Sequence, residues 1–175
     1  MKPIAITLLT LVLLSPSTVF GQTRKRSTSR QKPTTTAQPE GRVMQVRTQG
    51  AQRVAEQIKL LTRFIYVLGG ATSGIAAVDE AVRRNEASPP LVQQNQQSKA
   101  RVKSSITAFR EGLDKLEIDF RATPELQPYY IKLAGVAAGA ATAEEQAAAN
   151  QFDRSGRTLL DVVNRLADVL VVMRQ

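Results

Sequence analysis

From Arg42 to the end of the chain, apolar residues recur at alternating steps of three and four. Val54, Ile58, Leu61, Ile65, Leu68, Thr72 and Ile75 make one such stripe, and Val78 and Val82 continue it. A spacing of 3.6 held over about eight turns predicts a helix with one apolar face. The pattern returns at Val102, Ile106, Phe109, Leu113, Leu116 and Phe120, and again at Phe152, Ser155, Leu159, Val162, Leu166, Val169 and Met173. Stripes this regular suit helices that pack antiparallel at a shallow angle.

Turn residues divide the stripes. Ser88-Pro89-Pro90 closes one segment and opens the next, since serine caps a helix and proline is tolerated in its first turn. Thr123-Pro124 repeats the signal, and Pro128 would clash inside a continuing helix, so a new one is expected to start there. Thr142-Ala143-Glu144-Glu145 has the form of a capping box opening a final helix. Helices are therefore predicted at about 43–86, 91–121, 128–141 and 143–174, and no alternating run bounded by turn signals reads as a strand. The expected fold is all-α: an antiparallel helical bundle of about four helices, one of them short, over residues 42–175. Asp79 and Arg83, Glu80 and Arg84, Glu111 and Lys115, Glu117 and Arg121, and Asp161 and Arg165 are spaced to pair along its wet faces.

Ahead of the bundle the pattern is different. Residues 22–41 read QTRKRSTSRQKPTTTAQPEG, with nothing apolar larger than Ala37. Such a segment buries too little surface to offset its ordering entropy, which predicts a disordered, basic, Ser/Thr/Pro-rich linker. Residues 1–21 have the layout of a secretory signal peptide: Lys2, an apolar run from Ile4 to Leu14, Pro16, and Val19-Phe20-Gly21 before a cut that leaves Gln22 as the new terminus. The run of 11 residues is short of the roughly 20 that span a bilayer. The alternative is a membrane anchor that stays on, and the five basic residues just after the run pull that way.

Composition narrows the chemistry. The chain contains no Cys, His or Trp. Disulfides, the usual zinc sites, Cys-His and Ser-His catalysis, and Glu-x-x-His di-iron sites are thereby excluded. The net charge of +9 is unevenly placed. Residues 22–47 hold seven basic residues and one acid, whereas residues 48–175 hold 16 basic and 14 acidic ones.

Two sets of residues stand out as candidates. Arg24, Lys25, Arg26, Arg30 and Lys32 form a cluster in the linker that suits an anionic envelope polymer or lipid headgroups. Nucleic acid is disfavoured, because residues 22–47 carry no aromatic side chain to stack on bases. The second set is Gly70 with Gly74 and Gly135 with Gly139, two Gly-x-x-x-Gly spacings that would let a partner helix approach closely. They lie in charge-free stretches, Phe64 to Val78 and Leu133 to Ala143, and are expected to pack core helices tightly. No Gly-x-Ser-x-Gly elbow or phosphate loop of standard spacing is present.

These features point to an exported, non-catalytic bundle of the cell envelope or extracellular space, secreted or periplasmic, that binds a partner or serves as a structural element without a cofactor. A groove where the short third helix ends is expected to receive a second copy or a partner helix. A membrane-associated protein using its Gly-rich helices is one alternative, and an enzyme independent of His and Cys is another.

Overall fold

Three apolar stripes need a common interior, and the chain supplies it by folding back on itself. A computed structural model describes residues 37–175. The signal segment and most of the linker, with Arg24, Lys25, Arg26, Arg30 and Lys32, lie outside the described residues. The helices are α1 (Ala37–Arg83), α2 (Pro89–Ala122), α3 (Gln127–Leu133), α4 (Val136–Ala148) and α5 (Phe152–Met173). No strand occurs among the described residues.

Four helices close a ring. α1 packs on α2 and α5, and α4 packs on the same two from the other side. The short α3 lies across one end, against α2 and α5. Contacts between α1 and α2 run antiparallel: Arg53 meets Asp119 at one level, and Asp79 meets Lys99 at another.

The stripes converge as their spacing requires. Val54, Leu61, Leu68 and Ile75 of α1 are buried, as are Val102, Ile106, Leu113, Leu116 and Phe120 of α2. Every member of the α5 stripe, from Phe152 to Met173, is buried. Each large apolar side chain so removed from water contributes about 1.5–3 kcal/mol. α4 enters the ring with Ala137, Ala140, Ala143 and Ala147, all buried, so its backbone sits close to its neighbours. Ser155 is fully buried among them and donates its hydroxyl to the Ala143 carbonyl at 2.8 Å. Phe64 and Phe109 meet at the α1–α2 seam with their rings tilted 55° to each other and the ring centroids 5.0 Å apart.

The second half of the chain departs from the predicted boundaries. The third helix was expected to run over 128–141, but it stops at Leu133, and Gly135 takes a left-handed φ of 89° before α4 begins. Thr142-Ala143-Glu144-Glu145 is not a helix start. Thr142 lies inside α4, its hydroxyl donating back to Ala138 O at 3.2 Å. The real break is Asn150, at φ 59°, where Gln151 N–H donates to Gln146 O at 2.8 Å in a Schellman-type closure. Asparagine tolerates the left-handed region, so the chain turns there without glycine or proline. At Ser88 the structure also differs in detail: the serine precedes α2, with proline in the first turn, but its side chain makes no capping bond.

Side chains from neighbouring helices satisfy several helix ends. Glu117 of α2 accepts the Ala137 N–H at 2.7 Å, placing an anion at the start of α4. Arg47 donates from Nε to Met173 O at 2.7 Å, placing a cation at the end of α5, and lies 5.4 Å from the Tyr129 ring centre. Of the five same-helix pairs expected, Glu80–Arg84 closes, at 3.0 Å, with Arg83 joining it. Asp79 instead crosses to α2, accepting from Lys99 Nζ at 2.6 Å and Asn95 Nδ2 at 2.7 Å.

The capping role of Glu117 is testable. Glu117→Ala should lower stability by about 1 kcal/mol, within the 0.5–2 usual for loss of a cap. Lys115→Ala, at an exposed position two residues earlier and on the opposite side of α2, should change it by less than about 0.5 kcal/mol. Urea unfolding followed by circular dichroism measures both.

Candidate functional site

The outward side of α1 carries an unusual surface. Its buried stripe passes through Leu68, Thr72 and Ile75, and at 100° per residue Gly70 lies about 180° away from them. On that opposite side Tyr66 is 86% exposed and Val67 61% exposed, with Gly70, Ser73, Gly74 and Ala77 exposed beyond them. No charge interrupts the helix between Arg63 and Asp79. α1 is long and apolar enough to cross a bilayer by length and composition, yet only 22% of its most apolar window is buried in the bundle.

α1 continues through Gly69-Gly70 without a break. The hydroxyls of Thr72 and Ser73 both donate to Gly69 O, at 3.1 and 3.2 Å, so the polar groups of this stretch are turned back onto its own backbone. Beyond Tyr66 and Val67, what faces outward is built of small residues, Gly70, Gly74 and Ala77.

The candidate glycines therefore separate. A Cβ added at Gly70 or Gly74 would have no neighbour within 4 Å, so these two do not pack core helices of this chain, contrary to the expectation. They sit on the wet side because the stripe of α1 occupies the other. Gly139 does pack closely: a Cβ there would come 2.9 Å from Val162 of α5. Gly135 serves as the left-handed turn before α4, and a Cβ on it would lie 3.4 Å from an Arg165 nitrogen. Two close-packed glycines stand outside any Gly-x-x-x-Gly spacing. Gly50 faces Leu126, at 2.7 Å for an added Cβ, and Gly156 faces Leu68, at 3.3 Å. Gly156 could have been found from its place beside Ser155 and Leu159 on the α5 stripe.

Charged side chains elsewhere are used between helices. Arg110 on α2 reaches Glu144 on α4 at 2.7 Å and Asp114 at 2.6 Å, and Thr107 donates to the other oxygen of Glu144 at 2.6 Å. Lys103 donates to Ala148 O at the end of α4. Of the basic residues Lys99, Arg101, Lys103 and Arg110 along α2, three are thus committed to contacts with other helices. The guanidiniums of Arg83 and then Arg84 hold the Glu80 carboxyl below its usual pKa. Among the described residues no group of three or more acidic side chains could hold a metal ion.

Three shallow grooves stand out between helices of the described residues. One of about 270 Å³ follows the α1–α2 seam between Gly74, Ile75, Leu91 and Asn95. Another of about 200 Å³ lies where α1 meets α5, near Leu68, Gly69 and Phe152. The third, about 420 Å³, lies beside the end of α3, where Ile131 is 79% exposed next to Lys132, Arg165 and Asp168. It lies beside Leu133, where α3 ends, and not after residue 141, where the end of the third helix was expected.

The glycine geometry makes opposite forecasts at two positions. Gly139→Leu should overpack the α4–α5 contact and destabilise by about 1–3 kcal/mol. Gly74→Leu should leave the melting temperature unchanged or raise it, since leucine gains about 0.8–1 kcal/mol of helix propensity and meets nothing. Thermal melts at a concentration where the chain is monomeric decide both. No family model, curated protein or solved structure matches the chain, so what the α1 face does has to be argued from its own chemistry.

Proposed function

We propose that the protein is an exported, non-catalytic helical bundle of the cell envelope or extracellular space that acts by binding or as a structural element. The observation that carries this reading is the outward face of α1, a charge-free apolar surface left uncovered by the rest of the fold. Apolar surface of this kind on a helix marks an interaction site rather than a reaction centre. The ion pairs of Arg110 and Asp79 support the same reading, because they tie one helix to another and do not converge on a polar cleft. Export rests on the layout of residues 1–21, and the basic cluster of the linker is read as a tether to anionic polymer or headgroups.

A membrane-associated alternative draws support from the same helix, which is apolar enough to lie on or in a bilayer. Cell fractionation followed by a carbonate wash separates the two: the exported bundle should be released, and an integral protein retained.

Processing and tethering have their own expected outcomes. Intact mass of the exported protein should begin at Gln22, and a membrane species still carrying Met1 to Gly21 would contradict the cleavage. A chain starting at Gly41 should lose binding to anionic vesicles while keeping the same helical circular dichroism. Binding by the longer chain should weaken steeply as salt shortens the screening length below about 8 Å. Equal binding by both chains would move the anion contact into the bundle.

A further inference from the structure

The outward face of α1 is complementary to itself. Its exposed positions Glu56, Leu60, Arg63, Val67, Gly70, Gly74, Ala77 and Arg84 follow the three-four spacing of a helix seam, on the side opposite the core stripe. A helix seam of this length needs a second helix, and no helix of the described chain covers it. Gly70 stands at its centre.

Consider two copies related by a two-fold axis passing beside Gly70, with their α1 helices antiparallel. Residues whose numbers lie equally far from 70 then face each other. Gly70 meets Gly70 of the second copy, so the backbones can come close. Tyr66 comes level with Gly74 and points into the hole bounded by Gly70, Ser73, Gly74 and Ala77. Knobs enter holes of this kind, made by residues i, i+3, i+4 and i+7. All four residues around the hole are small, and the knob is the most exposed large apolar side chain among those described. Symmetry repeats the fit on the other side of the axis.

Charge is compatible with this register and disfavours several others. Glu56 faces Arg84, which already pairs with Glu80 of its own helix and would be shared between the two carboxylates, while Lys59 faces Ala81 and Arg63 faces Ala77. Moving the axis to residue 68 would set Glu56 opposite Glu80, and moving it between 71 and 72 would set Lys59 opposite Arg84. A parallel pairing would place Glu56, Lys59, Arg63 and Arg84 each against its own copy. Like charges directly opposed are disfavoured, so these alternatives are selected against.

We infer that the chain forms an antiparallel homodimer through α1, with Tyr66 of each copy seated over Gly70 and Gly74 of the other. The inference rests on reading this face as a binding surface and names its occupant as a second copy.

Sedimentation velocity on the purified full chain should give a dimer. Gly70→Leu should weaken it by about a hundredfold or more, because each copy overpacks the other, while the monomer's melting temperature holds or rises. Tyr66→Ala should also weaken the dimer. Glu56→Arg should raise the dissociation constant by about tenfold, and adding Arg84→Glu should restore it. With no native cysteine in the chain, Gly70→Cys should oxidise to a disulfide-linked dimer, whereas Glu56→Cys should not, since antiparallel copies hold those positions about 42 Å apart.

A monomer throughout the micromolar range overturns the inference, and so does a dimer indifferent to Gly70→Leu. Cross-linking through Glu56→Cys overturns the antiparallel arrangement. A monomer that sediments with phosphatidylcholine vesicles, and loses them on Tyr66→Asp, would make a bilayer the occupant. That result ends the dimer while leaving the face a binding surface.

Discussion

The bundle depends on how thin α4 is. After Val136 at its start, its core side is made of Ala137, Ala140, Ala143 and Ala147, with Gly139 beside them, so most of the helix adds little side-chain bulk to the interior. α2 and α5 supply that bulk and close over it, and α1 then has one continuous surface to lie on. A larger side chain in α4 would push those two helices apart and break the ring on both sides. Gly139 against Val162 is the tightest point of that constraint on α4. The hydrogen bonds around α4 follow from it. Glu117, Lys103, Ser155 and Arg110 can all reach α4 or its ends because its backbone lies so near theirs.

The contrast between the two charge-free stretches shows how much of the site was legible. Phe64 to Val78 and Leu133 to Ala143 look alike by composition, since each carries a Gly-x-x-x-Gly spacing among small and apolar residues. One is exposed on α1, and much of the other lies inside the ring in α4. The distinction was available from the wheel. Leu68, Thr72 and Ile75 already define the buried side of α1, and Gly70 is two residues from both Leu68 and Thr72, hence on the far side. Spacing of small residues says that something can come close, and only the neighbouring stripe says whether it comes from within the chain.

Long stripes were read well because burial is periodic over many residues. Most members of the α1, α2 and α5 stripes fall in the core as the spacing required, but Ile58, Ile65, Val78 and Phe109 are half-buried and Val82, expected to continue the α1 stripe, is exposed where α1 nears its end. Boundaries in the second half were not, for two physical reasons. Gly135 looked like a helix interior residue because nothing local distinguishes a packing glycine from a turning one. Asn150-Gln151 turns the chain with no glycine or proline, its left-handed residue being asparagine. Thr142-Ala143-Glu144-Glu145 had a capping pattern, but Glu144 is claimed by Arg110 and Thr107 from α2. A partner distant in sequence overrode a local signal.

The ring also combines packing between helices close in sequence with packing between the two ends of the chain. α2, α3, α4 and α5 contact neighbours close in sequence, and such local contacts form early and fast. α1 is different, for it packs extensively on α5, the last helix of the chain. Its Gly50 waits for Met173, and Arg47 waits for the Met173 carbonyl. A chain that emerges amino terminus first, from a ribosome or a translocation pore, therefore exposes the long apolar helix before its cover exists. Its earliest segment stays open to chaperones, to a bilayer or to another nascent copy until the final residues arrive.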